Sequence, residues 1–336
     1  MRTNTIKIVA IGDSITYGYP YEPALSWLNL TAERLNIDYM NQGLNGDMTD
    51  GMLNRFDCDV LRYKPSHVVI MGGTNDAYAG MTVNQVMKNI HHMVELAMQK
   101  GIIPILGLPI PCNDLAEEKL LGEYRTEMRQ YAEEHNIEII DFHKNIVDDD
   151  GIHVKAGLYC DDVHPSIAGY EVMAGVAAKF FVKVLIDARA HDYYWKEDFS
   201  CAITTLKILS EIFNTKFDQQ VMDAAFGLNA GRLGSQCGLV EGALMFIGIY
   251  GQKKGLVYQG ITELCHTFSS SFQVEFGSVL CKKLRPQGFS PDDPPHLCEN
   301  ITKRAIWFST EFISKNIGLD FSNMFMLSIK RDVLLD

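Results

Sequence analysis

The chain has 336 residues, enough for two domains with separate cores. Its 42 acidic residues outnumber 30 basic ones, giving a net charge of −12, so there is no cationic footprint for a phosphate backbone and nucleic acid is not an expected partner. A composition of 47% hydrophobic and 21% charged residues is that of a globular protein, and no apolar run approaches the roughly 20 residues that a membrane-spanning helix needs.

The N-terminal stretch MRTNTIKIVAIGDS carries a cation, but its apolar run is short, lacks a small-residue cleavage site and leads straight into GDSIT. It reads as a first strand and not as a signal peptide, so the protein is expected to begin near Met1 and to stay in the cytoplasm. Further short β-rich runs follow: IDYM, HVVIMGG, IIPILGL and IEIIDF. Between them lie helical patterns such as TVNQVMKNIHHMVELAMQKG, where Val83, Val86, Ile90, Val94 and Met98 recur at helical spacing and Gly101 is placed to end the helix. Each parallel crossover needs a helix-length connection, so five strands alternating with helices predict an α/β doubly wound, flavodoxin-like parallel sheet. A helix over about residues 166–188 closes this first domain, expected to span residues 1–190.

The polar and aromatic segment AHDYYWKED, residues 190–198, breaks the alternation and marks the boundary. Beyond it, over residues 198–336, the strand signal disappears. SCAITTLKILSEIF, QQVMDAAFGL, CGLVEGALMFIGIYG, GITELCHTFSSSF and HLCENITKRAIWFSTEFI all read as helices, the last with an apolar face of Leu297, Ile301, Ala305, Phe308 and Phe312. The second domain is therefore predicted to be all-α. Its proline-rich loop LRPQGFSPDDPPH excludes helix until just before His296.

Ligands of a doubly wound sheet bind where the strands end, near the point at which strand order reverses. Ser14 follows the first strand, NQGLNGDMT the second, GGTND the third, and DDVHPS comes after the fifth strand and a loop. These loops supply a hydroxyl, a glycine-rich backbone, a carboxamide and a carboxylate–imidazole pair, which are the parts of acyl transfer. Ser14 alone also fits a helix cap, Asn75 a turn, Asp76 a helix N-cap, and Gly46 a turn glycine or a point of close approach. Asp161 and Asp162 compete to orient His164, and the three-residue spacing favours Asp161. Cys160 adjoins this region as a small packed residue.

Over about residues 6–188 the four ordered blocks GDSIT, NQGLNGD, GGTND and Asp161-Asp162-Val163-His164 resemble the SGNH (GDSL-type) hydrolase superfamily of lysophospholipase- and arylesterase-like enzymes. The resemblance implies a serine esterase with Ser14 as nucleophile, His164 as base and Asp161 as its orienter. It further implies an oxyanion hole made of the Ser14 and Gly46 backbone N–H groups and the Asn75 amide. No metal or cofactor is needed for such an enzyme, and its substrate would be a small-molecule ester or a lipid. An acyltransferase with an acceptor other than water uses the same parts.

Of eight cysteines, Cys58, Cys112 and Cys160 lie in the first domain and Cys201, Cys237, Cys265, Cys281 and Cys298 in the second. Without a signal peptide, structural disulfides are not expected, and no CxxC supports a zinc ribbon or c-type haem. Cys201, Cys237 and Cys298 are predicted at helix starts, where thiols tend to be acidic and reactive, whereas Cys265 lies mid-helix and reads as core. GRLGSQCG lacks the lysine and preceding strand of a phosphate loop. Over about residues 200–300, Cys201, the C-G-L-V-E-G run from Cys237, Cys281 and Cys298 resemble the C-GCAxxG-C-C family, although Leu239 stands where alanine is expected and Gln236 precedes the cysteine. The resemblance implies thiol-redox chemistry with a partner protein, or a soft metal or Fe–S cluster held by Cys201, Cys237, Cys281 and Cys298. Buried structural thiols, and a redox protein whose α/β domain is only a binding platform, are the alternatives.

Overall fold

The computed structural model describes residues 6–151, 153–228, 235–285, 290 and 292–317. Residues 229–234, of which 231–234 belong to the phosphate-loop candidate, and 286–289 and 291 of the proline-rich loop lie outside them, as does the chain after 317. The chain divides into two compact units, Met1–Phe180 and Phe181–Asp336. The division falls inside one helix, Ile167–Trp195, which is longer than the predicted closing helix.

In the first unit, β1 (Lys7–Gly12), β2 (Asp38–Gly43), β3 (His67–Met71), β4 (Ile103–Gly107) and β5 (Glu138–Ile140) form one parallel sheet in the order β2-β1-β3-β4-β5. This is the flavodoxin-like order, with the reversal at β1 and β3. Strands covered on both faces are apolar throughout, and every residue of β3 is buried. The helix Val83–Gln99 begins with a capping box, in which Thr82 and Gln85 satisfy each other's backbone N–H groups, and Gly101 at φ +69° follows its end. Its buried stripe is Val86, Met87, Ile90, Met93, Val94 and Ala97, while Met98 is exposed. The predicted face was thus rotated by a fraction of a turn, because methionines at positions 87 and 93 pack against the sheet.

The pairing register positions the loops. Gly12 at the end of β1 lies opposite Gly43 of β2 and Met71 of β3, so three chains leave the sheet at one level. The turn Ser14–Tyr17 follows β1 at once, capped by the Asp13 carboxylate, which accepts from the Ile15 N–H at 2.9 Å. A Cβ on Gly43 would stand 2.1 Å from the Tyr17 backbone nitrogen, so only glycine lets β2 pass this turn.

In the second unit, the helices Cys201–Ile212, Gln219–Gly227, Gly238–Lys253, Tyr258–Phe276 and Glu299–Ile317 carry the fold, and no strand occurs among the described residues. The helix Gly238–Lys253 meets the helix Cys201–Ile212 backbone to backbone: a Cβ on Gly242 would lie 2.4 Å from the Ala202 carbonyl oxygen. The helix Glu299–Ile317 buries Thr302, Ala305, Ile306, Ser309, Thr310 and Ile313, a face turned away from the expected one. Hydroxyls are tolerated there because Ser309 and Thr310 donate to the carbonyls of Ala305 and Ile306 one turn back, at 2.7 and 2.8 Å. Phe308 and Phe312, expected to be core, are half-buried and pack their rings on Phe268. No helix of the described residues is long and apolar enough to cross a membrane.

Gly43→Ala is expected to lower stability by about 1–3 kcal/mol, because the methyl group would press on main-chain atoms that cannot rotate away. A urea midpoint equal to that of the unmodified protein would show that the turn after β1 is not held by this contact.

Candidate active site

The Ser14 Oγ lies 3.0 Å from His164 Nε2, and His164 Nδ1 lies 2.8 Å from Asp161 Oδ2. The second carboxylate oxygen of Asp161 accepts the backbone N–H groups of Val163 and His164, at 2.8 and 2.6 Å. One side chain therefore fixes both the loop and the ring of the histidine. Partial burial pushes the Asp161 carboxyl up, but the His164 and Val163 N–H groups and the His164 ring together hold it below the usual carboxylate range. Asp162 is exposed and its backbone carbonyl accepts from the Asn113 N–H, so it takes no part in this relay. The Tyr19 ring stands 4.6 Å from the His164 ring, a contact that the sequence did not flag.

Asn75 donates one N–H of its amide to the Asp47 carbonyl at 2.9 Å, which joins the loop after β3 to the glycine loop after β2. A carboxamide has a second N–H. Gly46 has φ +77°, and an added Cβ would meet nothing within 4 Å. The backbone conformation alone favours glycine here, and no protein atom crowds the position. The Ser14 N–H, at the first position of its helical turn, has no intrahelical acceptor.

Two residues missed in the sequence hold this arrangement. Arg55 bonds Asp47 through Nε at 2.7 Å, Asp59 through Nη1 at 3.0 Å and the Gly12 carbonyl through Nη2 at 3.0 Å, tying the end of β1 to the glycine loop. Asp76 is not a helix N-cap, a place that Gly73 takes; it is fully buried and accepts from the backbone N–H and hydroxyl of Thr49. Burial raises its carboxyl despite these donors. Cys160 is exposed, contrary to the packed position expected, and its thiol lies 3.3 Å from the His164 carbonyl.

In the second unit Cys201, Cys237, Cys281 and Cys298 converge as two thiol pairs. The Cys281 sulfur beside it and burial raise the Cys237 thiol, whereas the Cys237 thiol and the Arg285 guanidinium lower Cys281 against its own burial. Cys201 donates to Cys298 with the same sense, and the Arg285 guanidinium faces the sulfurs of Cys281 and Cys298. Helix-start acidity therefore fails for Cys201 and Cys237: giving up a proton would cost each its hydrogen bond and leave a buried charge. Cys265 is half-buried, away from the core position expected. Among the described residues no three His, Cys, Asp or Glu side chains are grouped to hold one metal ion.

Residues 10–172 match the GDSL-like Lipase/Acylhydrolase family. Residues 10–172 are a domain of that family. Residues 199–312 match the C_GCAxxG_C_C family, described as "Putative redox-active protein". The uncharacterized lipoprotein YqeF of Bacillus subtilis is 38% identical over 117 residues, 31% of this chain and 48% of its own length. The esterase TesA of Pseudomonas aeruginosa is 31% identical over 112 residues, 32% of this chain and 56% of its own. The chain thus spans about half the length of these curated relatives. A solved structure from Desulfitobacterium hafniense, assigned to the lipolytic G-D-S-L family, is 35% identical and covers 52% of this chain and 99% of its own, with a TM-score of 0.49.

Asp13, beside Ser14, gives a pH-dependent handle on this GDSL-family site. Burial, opposed by the Ile15 N–H and reinforced by the charges of Asp76 and Asp47, pushes its carboxyl up to about 7 from an ordinary value of 3.8. A carboxyl that is harder to ionise when folded opposes folding as pH rises from about 4 to about 7. Asn keeps the acceptor for Ile15 and cannot ionise. Asp13→Asn should therefore gain stability relative to the unmodified protein across that window, by on the order of 1–4 kcal/mol. Denaturant curves at pH 4, 5.5 and 8 measure this, and a pH-independent difference would contradict it.

Proposed function

We propose that the chain is a serine carboxylic-ester hydrolase, lysophospholipase- or acetylesterase-like, with an attached thiol-active helical domain. The observation that carries the hydrolase reading is the Ser14–His164–Asp161 relay, with links of 3.0 and 2.8 Å. As Ser14 Oγ attacks the ester carbonyl, His164 Nε2 takes its proton. Asp161 keeps the opposite ring nitrogen protonated and stabilises the imidazolium that forms. The Ser14 and Gly46 N–H groups and the Asn75 amide receive the negative oxygen of the tetrahedral intermediate. The alcohol leaves with the His164 proton, and a water molecule activated by the same base releases the acyl group.

Leu44, two residues before Gly46, Tyr78, on the short helix Thr74–Tyr78 that carries Asn75, and Ile167, three residues after His164, are exposed large hydrophobic side chains, and they favour an ester with an apolar acyl or alcohol part. The Asp161 side chain is 49% exposed, which gives water a route to the base and favours hydrolysis over transfer to another acceptor. For the helical domain, two thiol–thiol hydrogen bonds beside one guanidinium support reversible sulfur chemistry in preference to a resident metal.

On p-nitrophenyl esters from acetate to long chains, Ser14→Ala is expected to lower kcat by roughly 10⁴-fold or more with the fold intact. His164→Ala should be nearly as damaging and Asp161→Asn at least about tenfold less so, because an orienter is partly replaceable and the base is not. Full activity of Ser14→Ala would remove the nucleophile assignment, and greater damage from Asp162→Asn than from Asp161→Asn would remove the orienter.

A further inference from the structure

A thiol-active helical domain, the premise of this inference, leaves open which sulfur reacts and with what. The backbone narrows the choice. Gln236 and Leu280 form an antiparallel bridge, clamped by the Cys237 N–H to the Val279 carbonyl at 2.9 Å and by the Cys281 N–H to the Ser235 carbonyl at 2.8 Å. Each cysteine is the next residue after the bridge on its own segment, and each segment then turns into a helix. Antiparallel pairing sets Cys237 and Cys281 diagonally across the bridge, with their side chains on the same face and their backbones about 7–8 Å apart, so a disulfide needs a small adjustment of the bridge as well as side-chain rotation.

The charges around this pair are asymmetric. Arg285, four residues after Cys281, donates to its sulfur and is held in place by Asp293 at 2.7 Å and by the Ser290 carbonyl at 3.3 Å. One turn beyond Cys237 stands Glu241, whose Oε2 is buried with no hydrogen-bond partner among the described residues. Burial and the neighbouring Cys281 push its carboxyl up to about 7, so it retains a proton near neutral pH. Cys281 is 8% and Cys237 5% exposed, too little for a disulfide on a folded protein to reach and enough for a molecule of a few atoms.

We propose that Cys281 and Cys237 are a two-electron couple that small hydroperoxides oxidise to a disulfide, with Cys281 attacking, Cys237 resolving and Glu241 supplying a proton. The Cys281 thiolate attacks one oxygen of ROOH; the S–O bond forms, the O–O bond breaks, and the departing RO⁻ takes the Glu241 proton and leaves as ROH. The Cys237 thiol then attacks the Cys281 sulfenic acid; the S–S bond forms, the S–O bond breaks, and hydroxide leaves with the Cys237 proton as water. The proton that Cys281 releases on ionising restores Glu241, so overall the dithiol loses two electrons and two protons and the peroxide is reduced to alcohol and water. With hydrogen peroxide, R is hydrogen. Arg285 stabilises the attacking thiolate, as a fixed cation does beside reactive cysteines.

The test uses reduced full-length protein treated with hydrogen peroxide, quenched with N-ethylmaleimide and mapped by mass spectrometry. The expected product is a Cys237–Cys281 disulfide, formed on the order of tenfold more slowly or worse in Glu241→Gln. In Cys237→Ser, unfolded in denaturant with dimedone after the peroxide step, dimedone should label Cys281. The map of the unmodified protein decides the pairing even where a variant fails to fold. A disulfide between Cys201 and Cys298, or dimedone on a sulfur other than Cys281, would overturn the assignment while leaving a thiol-active domain. Closure of the same bridge by oxidised glutathione but not by peroxide would overturn the oxidant class. If none of the four thiols oxidises under conditions that oxidise free cysteine, both the couple and the thiol reading fail.

Discussion

Parallel pairing sends the carboxyl ends of all five strands to one edge of the sheet, and the chemistry of the first unit depends on where that edge is level. Gly12 is in register with Gly43 and Met71, so Ser14, the Gly46 loop and Asn75 leave three adjacent strands within a few residues of one another. Register alone does not lock irregular loops, which need polar ties. Arg55 binds the Gly12 carbonyl and Asp47, Asn75 binds Asp47, and Asp76 binds Thr49. Each tie joins the exit of one strand to that of a neighbour.

These ties gather negative charge in a small volume. The charges of Asp76 and Asp47 oppose the ionisation of Asp13, and Asp13 and Asp76 are almost fully buried. The cost is offset where donors converge: Arg55 on Asp47, and Thr49 with Asn89 behind it on Asp76. The histidine loop comes from beyond β5 and is anchored separately, by the Asn113 N–H to the Asp162 carbonyl, the Cys160 N–H to the His164 carbonyl and the Tyr159 hydroxyl to the Pro111 carbonyl. The Ser14 hydroxyl on its turn thus meets the His164 ring on an independently braced loop, and the Asp161 carboxylate holds that ring.

The residues that would make or break bonds were legible in the sequence because each follows an apolar strand directly and belongs to a short block: Ser14 after IKIVAIG, Asn75 after HVVIMGG, and Asp161 with His164 three apart. Arg55 and Asp76 were not, since an arginine in mid-helix and an aspartate after Asn75 carry no local signal of the loop they will bind. Their roles exist only once β1, β2 and β3 are side by side. Helical faces were read to within a fraction of a turn. Period alone does not say that Met87 will be buried and Met98 exposed, or that Thr302, Ser309 and Thr310 can line a core. The four cysteines were visible as a set but their pairing was not, because the bridge between Gln236 and Leu280 joins residues more than forty positions apart. The helix dipole, the one local rule for thiol acidity, was outweighed at Cys201 and Cys237 by burial and by the hydrogen bonds they donate.

The central claim is that one serine is made nucleophilic by the relay from Asp161 through His164. Incubation of the purified full-length protein with a fluorophosphonate, followed by intact mass and peptide mapping, reads this directly, since such reagents phosphonylate a serine only where a base activates it and an oxyanion site receives the phosphoryl oxygen. The account predicts a single adduct, on Ser14, that does not form in His164→Ala. An unlabelled protein, or an adduct on another serine with Ser14 unmodified, would contradict it.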